Sequence, residues 1–375
     1  MTSKASRERG VYRAEATVDF PKIEEFLDPI VSSIATHDMT ITRDGKCFDV
    51  LAPHGRARLE PLEGRLRLTV TTDDCNALNH LKYALVGPIT FIAASEKLHI
   101  EWSGDETGAA LPEDLRVLSV VHVAALTPRM LRITFSGNDL SRYDRPDQLH
   151  CRLIFQPKDV ASPQWPMLDD RGQVVWPKRQ KLPTRVYTIR RIDAVKGEIE
   201  IDFALHDTAG PATRWAREAV PGDIVGILGP AANGAKPADF YVLAGDETAL
   251  PGIARILEQV GDKARGVALI EIDGPTEELP LLHPPGVALR WLHRNGAAAG
   301  TTSLLVEAVQ AVDWPSDLDR VFFWGGCEHK AFRKIHHMLR QDVRLPRDRQ
   351  TFFSHWHRSL NEEEIIAIGG EAYLP

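Results

Sequence analysis

Near residue 237 the hydrophobic pattern of this chain changes period, and that change constrains the fold more than any other feature. Ahead of it, six stretches are short and strand-like: 117–126, 130–136, 149–155, 186–191, 198–204 and 223–228. Alternation with period two is the mark of a strand with two different faces, and turn signals separate the stretches. Six such strands predict a small antiparallel barrel, interrupted only by a short helix over 213–218. Beyond residue 237, strand-like runs (240–244, 266–272, 287–292, 320–324, 350–353) are interleaved with helical patterns (249–260, 301–312, 330–340). That order predicts a parallel, doubly wound α/β sheet, and a last short helix is expected over 361–368.

The first hundred residues read differently. A helical pattern opens at Phe20-Pro21 and carries Ile23, Phe26, Leu27, Ile30, Val31 and Ile34 on one side. Short strands are expected at 39–41, 48–51 and 66–70, then a helix capped by Asp73 or Asp74, then a closing strand at 98–102. This is a small α+β unit. The predicted organisation is an α+β domain over 1–104, a linker over 105–114, a barrel over 115–236 and an α/β domain over 237–375. The stretch 156–183, rich in Pro and Trp, is too long for a hairpin and is expected to act as a lid or functional loop.

Composition removes several function classes. The 375 residues carry a net charge of −7, which argues against non-specific nucleic-acid or membrane-surface binding. Cys47, Cys75, Cys151 and Cys327 are far apart, so no disulfide framework, zinc site or iron–sulfur cluster is expected. The polar, basic N-terminus and the absence of a long apolar run predict neither a signal peptide nor a membrane span, and so a cytoplasmic protein. Five of the 14 histidines fall between His329 and His357, but their spacing matches no metal triad, and no protein-bound metal is expected.

Within this frame one tetrapeptide carries chemistry. Arg185 and Tyr187 in Arg185-Val186-Tyr187-Thr188 share a strand face. A guanidinium there can grip a pyrophosphate, and a phenol ring one step along can lie on an aromatic ring system. Thr188 adds a hydroxyl. Gly210-Pro211-Ala212-Thr213 follows the strand ending near His206; small residues allow close approach, and Thr213 is expected to cap the short helix and present backbone N–H groups to an anion. Gly245-Asp246-Glu247-Thr248 follows the first strand of the α/β region, where a dinucleotide docks; Thr248 is expected to cap the next helix, and Asp246 to suit ribose hydroxyls. Gly325-Gly326 are expected to let a ligand approach the backbone, with Cys327 either near a flavin that the Arg185–Thr188 strand would suit or a buried inert thiol. Asp273 points to NADH, whereas Arg347 and Arg349 would serve the 2′-phosphate of NADPH.

These segments, with Trp291-Leu292-His293-Arg294 and the run from Trp324 to Arg333, resemble the siderophore-interacting protein family of ferric-siderophore reductases. The resemblance covers about residues 115–370, and the first hundred residues resemble a small domain of unknown function. It implies a ferredoxin-reductase-like barrel holding FAD and an NAD(P)-binding domain receiving NADPH or NADH. It further implies electron transfer to an Fe(III)-siderophore, releasing Fe(II) for iron acquisition. Cofactor-binding residues would be Arg185, Tyr187, Thr188, His206, Gly210, Ala212, Thr213, Gly245, Asp246, Thr248, Gly325 and Gly326. Lys330, Arg294 and Arg333 would meet the siderophore. No catalytic acid or base is expected, because outer-sphere electron transfer needs none. Two alternatives stay open: a flavin reductase with another acceptor, such as a quinone or ferredoxin, and a non-enzymatic siderophore-binding escort. The sequence leaves the oligomeric state and the chemical type of siderophore undecided.

Overall fold

The computed structural model describes residues 11–35, 39–53, 55–105, 108–158, 162–178, 182–206 and 210–360; the helix expected over 361–368 lies outside them. The chain forms two compact units, one of residues 1–113 with 162–181, the other of residues 114–161 with 182–375.

The first unit opens with β1 (Tyr12–Asp19), α1 (Ile23–Ile34), β2 (Thr40–Asp44), β3 (Cys47–Ala52), β4 (Gly55–Leu62), β5 (Arg65–Thr72), α2 (Cys75–Ile92) and β6 (Trp102–Gly104). Its six strands form one sheet in the order β2-β3-β4-β5-β1-β6. One face is apolar, with Ala14, Val18, Leu59, Leu66, Leu68 and Val70 packed against Ile30, Ile34, Leu78 and Leu85 of the helices. The opposite face carries cross-strand ion pairs, among them Arg65–Asp19 and Arg58–Asp49. The cap expected at Asp73 or Asp74 is present, with Asp74 Oδ1 accepting from Ala77 N at 3.4 Å. Strands β1 and β4 were not expected, and the closing strand lies a few residues later than its apolar run.

The second unit begins with β7 (Leu115–Thr127), β8 (Met130–Ser136) and β9 (Gln148–Phe155). The chain then returns to the first unit for the hairpin β10 (Met167–Leu168) and β11 (Val174–Val175). The expected lid is therefore docked in the first unit: Ala110 and Leu168 exchange backbone hydrogen bonds, and the buried Lys82 Nζ donates to Asp170 O at 3.0 Å and Asp105 O at 3.3 Å. Residues 105–114 are likewise more than a linker, since Ala110 is buried and bridged.

Back in the second unit come β12 (Thr184–Asp193), β13 (Glu198–Ala204), α3 (Pro211–Arg217) and β14 (Ile224–Asn233). The six strands close into a barrel in the order β12-β13-β8-β7-β14-β9. Alternate side chains fill it, including Ile133, Phe135, Leu153, Ile189, Ile201, Phe203 and Val225, with Trp215 of α3 stacked on Phe135.

The remaining elements are β15 (Phe240–Gly245), α4 (Leu250–Gln259), β16 (Arg265–Ile272), β17 (Val287–His293), α5 (Leu304–Gln310), β18 (Val321–Glu328), α6 (His329–Gln341) and β19 (Gln350–Trp356). The sheet is parallel throughout, in the order β17-β16-β15-β18-β19. Helix α4 packs on one face and α5 and α6 on the other, the doubly wound arrangement. Three ties fix barrel to sheet. Arg190 pairs with Glu258 of α4 through both guanidinium nitrogens. Arg255 donates to Ile189 O and Arg145 O, at 2.8 and 2.7 Å. Trp324 Nε1 donates to Asn233 O at 3.1 Å.

Candidate functional site

A cleft of about 1040 Å³ opens in the second unit where the barrel wall meets the carboxyl ends of the parallel strands. This is where open α/β sheets bind ligands, and the volume is at the upper end for a small-molecule site. Arg185, Val186, Tyr187 and Thr188 of β12 line it, as do His206 and Gly210, Ala212 and Thr213 at the start of α3. The two motifs from separate parts of the sequence thus share one cavity. Tyr187 is held by Phe203, whose ring centroid is 4.4 Å away, and meets Phe155 edge-on. Thr188 is buried and pairs in register with His150 of β9.

Five arginines (Arg129, Arg152, Arg185, Arg294, Arg358) and three carboxylates (Asp202, Glu247, Asp273) line the cleft. All three carboxylates are engaged by cations: Asp202 by both arms of Arg132, Glu247 by Arg294, and Asp273 by Arg129. The surplus of guanidinium suits an anion. Arg152 and Arg185 reach the cleft from neighbouring strands, and Arg152 Nη1 donates to Thr184 Oγ1 at 2.9 Å.

Several expectations change here. The N-cap of α3 is Gly210, not Thr213, which sits inside the first turn and is buried. Among the described residues, a Cβ on Gly210 would meet nothing within 4 Å, which leaves the backbone there open to approach from their side. The N-cap of α4 is Ala249, not Thr248. Thr248 instead donates to Asp246 Oδ1 and sits 3.0 Å from His355 Nδ1. Asp246 does not offer itself to a ribose. Its oxygens accept from Thr248 N, Thr248 Oγ1, Glu328 N and Trp356 Nε1, at 2.9, 2.5, 3.1 and 2.8 Å, and it is buried. Packing alone already requires glycine at Gly245, Gly325 and Gly326: a Cβ would strike Ala249 at the first, the Ala244 carbonyl at the second and the His355 ring at the third. Arg294 is 8% exposed and closed on Glu247, with Glu271 3.6 Å away. Lys330 and Arg333 lie on the exposed side of α6, outside the residues lining the cleft. Arg349 binds Val321 O and Pro237 O at the amino ends of the strands, the wrong end of the sheet for a dinucleotide phosphate. Cys327 is buried in the core beneath α5 and α6, and burial pushes its thiol well above the ordinary range.

The structure also brings in residues that the motifs did not indicate. From the barrel come Arg129, His150, Arg152 and Asp202; from the end of β19 come Phe353, His355, Trp356, His357 and Arg358. Trp356 is pinned through its indole N–H to Asp246 and leans on His206 at 5.7 Å. Desolvation lowers His150 to about 3, with help from His355 and Arg255, and lowers His355 to about 4. Both rings are therefore neutral near pH 7. One sequence signal could have found the second group, the density of aromatic and histidine residues from Phe353 to His357; the first group is joined to Arg185 only by the pairing of β9 with β12.

Residues 119–234 match the model of the siderophore-interacting FAD-binding domain, and residues 238–359 that of the siderophore-interacting protein. The chain belongs to the siderophore-interacting protein family. It is 28% identical over 251 residues to the ferric vibriobactin reductase of Vibrio cholerae, covering 66% of this chain and 91% of that protein. It is also 28% identical over 250 residues to an NADPH-dependent ferric-chelate reductase of Escherichia coli, covering 64% of this chain and 92% of that one. The crystal structure of a siderophore utilization protein from T. fusca superposes with a TM-score of 0.60 at 35% identity, over 68% of this chain and 96% of that one. These family matches begin at residue 119, in the second unit.

The lining fits FAD, the cofactor of that family's barrel domain. Arginines placed for a pyrophosphate, an aromatic ring braced by two others, and an unobstructed backbone at Gly210 occur in one cavity.

Proposed function

We propose that this chain is an FAD-dependent NAD(P)H:ferric-siderophore oxidoreductase that releases iron as Fe(II). The observation that carries the reading is that the Arg185–Thr188 strand and the 210–213 segment face one cleft at the carboxyl ends of the parallel sheet. Bound FAD would supply the conversion of a two-electron hydride donor into single electrons for ferric iron.

The residues do the binding and the shaping. Arg185 and Arg152 would hold the pyrophosphate, and the small residues Gly210 and Ala212 would let it approach. Tyr187, braced by Phe203 and Phe155, gives the ring system a flat wall that cannot tilt away. Thr188 fixes the ring edge. His150 and His355, kept neutral by desolvation, add no positive charge to the floor. Arg358, exposed at the rim, attracts an anionic chelate. Gly326 and Asp246 act one layer out, Gly326 by leaving room for the His355 ring and Asp246 by holding the Trp356 indole. No side chain has to supply a proton for the electron transfer itself, and iron(II) leaves because its chelator holds it less tightly than iron(III).

Among the described residues no helix is long and apolar enough to cross a membrane, and we place the reaction in the cytoplasm. The purified protein is expected to be yellow, to bleach anaerobically with NADH or NADPH, and to recover its colour fastest with a ferric siderophore. Faster recovery with a quinone or ferredoxin would shift the acceptor. A yellow protein that no nicotinamide bleaches, yet that binds a siderophore tightly, would be an escort, and a protein indifferent to flavin would sink the proposal.

A further inference from the structure

We infer that the Arg129–Asp273 pair selects the pyridine nucleotide, and that Asp273 sets the cleft to the donor without a 2′-phosphate; this rests on the reductase reading above. Asp273 directly follows β16, at the carboxyl end of the strand next to β15. At that place in a nucleotide-binding sheet, an acid accepts from ribose hydroxyls, whereas an arginine accommodates a 2′-phosphate. Here both groups are present and hold each other. Arg129 Nε is 3.1 Å from Asp273 Oδ2, and both residues line the cleft.

The pair is held from both sides by backbone. Arg129 comes from the turn between β7 and β8, and the buried Glu277 fixes that turn by accepting from Thr127 Oγ1 at 2.5 Å and Arg129 N at 3.1 Å. Leu205 N donates to Arg129 O at 2.9 Å, and Asn295 N donates to Asp273 O at 2.8 Å. Neither main chain is free to follow a ligand. The side chains are partly exposed, 36% for Arg129 and 27% for Asp273, so a ribose can reach them. A carboxylate has more acceptor sites than one guanidinium nitrogen uses, and the vicinal hydroxyls of NADH can take the others. A 2′-phosphate entering the same space meets a like charge. Arg294, which follows the neighbouring strand β17, is committed to Glu247.

The test is calorimetric titration of the FAD-loaded full chain with NAD+ and NADP+, which bind without reducing flavin. The wild type is expected to favour NAD+ by about tenfold. Asp273→Asn removes the repelling charge and releases Arg129. It should tighten NADP+ by about tenfold and weaken NAD+ several-fold. Adding Arg129→Gln should abolish the gain for NADP+. The ratio of NADH to NADPH turnover should follow the binding ratio. A wild-type preference for NADP+, or a ratio that Asp273→Asn moves by less than about twofold, overturns the inference and leaves the reductase intact. If flavin-loaded protein binds neither nucleotide, the reductase reading falls and this inference falls with it.

Discussion

Arg294 shows how a cation that reads as an anion receptor can be used up inside the fold. Its sequence context suggested contact with substrate, but its partner Glu247 lies 47 residues away, and only the β15–β16–β17 stack brings the two together. The guanidinium is nearly buried, and Glu271, itself pushed upward by burial, is close by. Removing the cation strands two carboxylates in a dry place. Arg294→Ala is therefore expected to cost about 3–5 kcal/mol in the urea-unfolding free energy, with part recovered when Glu247→Gln is added. A loss confined to siderophore affinity, with unfolding unchanged, would return Arg294 to the substrate. The histidines make a second residue-scale case. His150 and His355 are held near 3 and 4 in the folded chain, below about 6.5 in an unfolded one. The unfolded chain therefore takes up protons first as pH falls. Their contribution to stability is complete above about pH 6.5 and is lost progressively as pH drops towards the folded values. The urea midpoint should fall between pH 6.5 and 4, and the double variant His150→Gln/His355→Gln should show a shallower fall over that window.

At the scale of elements, strands were legible where large side chains alternate. Strands β8 and β13 fall at the residues that the alternation of Met130–Ser136 and Glu198–Ala204 predicts. Strands β1 and β4 were not, because three of their five buried positions are the small Ala14, Ala16 and Ala57, which carry little hydrophobic signal. Pro61 further disguises β4. It is tolerated because β3 pairs with β4 only as far as Leu59, leaving the proline with a neighbour on one side. The glycines near the site are ambiguous in sequence for a related reason: a glycine admits a ligand or a neighbouring ring equally well, and only the fold reveals His355 against Gly326. The docked insertion was invisible because its partners are in another part of the chain. Gly172 closes its turn at φ +71°, and a Cβ there would lie 2.7 Å from both Lys82 Cβ and Tyr83 N of α2. Gly172→Ala therefore combines a strained backbone with a collision against a helix. It is expected to destabilise docking by about 1–3 kcal/mol, read as faster hydrogen exchange and earlier proteolysis over 162–178. Unchanged protection there would mean that the hairpin is held by something other than this close turn.

For the whole molecule, the division of labour is set by connectivity. The chain passes between the units at 113/114, 161/162 and 181/182, yet every residue lining the cleft belongs to the second. The T. fusca protein is covered over 96% of its length by 68% of this chain, so the fold of the second unit stands in a relative of about that size. Removing residues 1–113 should accordingly leave the flavin-to-protein ratio intact. It should also uncover the hairpin, including Pro166 and Leu168, which are buried against the first unit's own segments. Exposed apolar chain of that kind promotes association, so the truncated protein should sediment as mixed oligomers. The ends of the insertion meet: Thr184 pairs with Ile154, and Phe155 N donates to Pro183 O at 2.9 Å. Replacing 162–181 with a short glycine–serine turn in the truncated chain should therefore restore a single sedimenting species without loss of flavin. If flavin is lost in both truncated proteins while folding is retained, the first unit takes part in holding the cofactor, and its role has to be sought at the cleft rather than in capturing the hairpin.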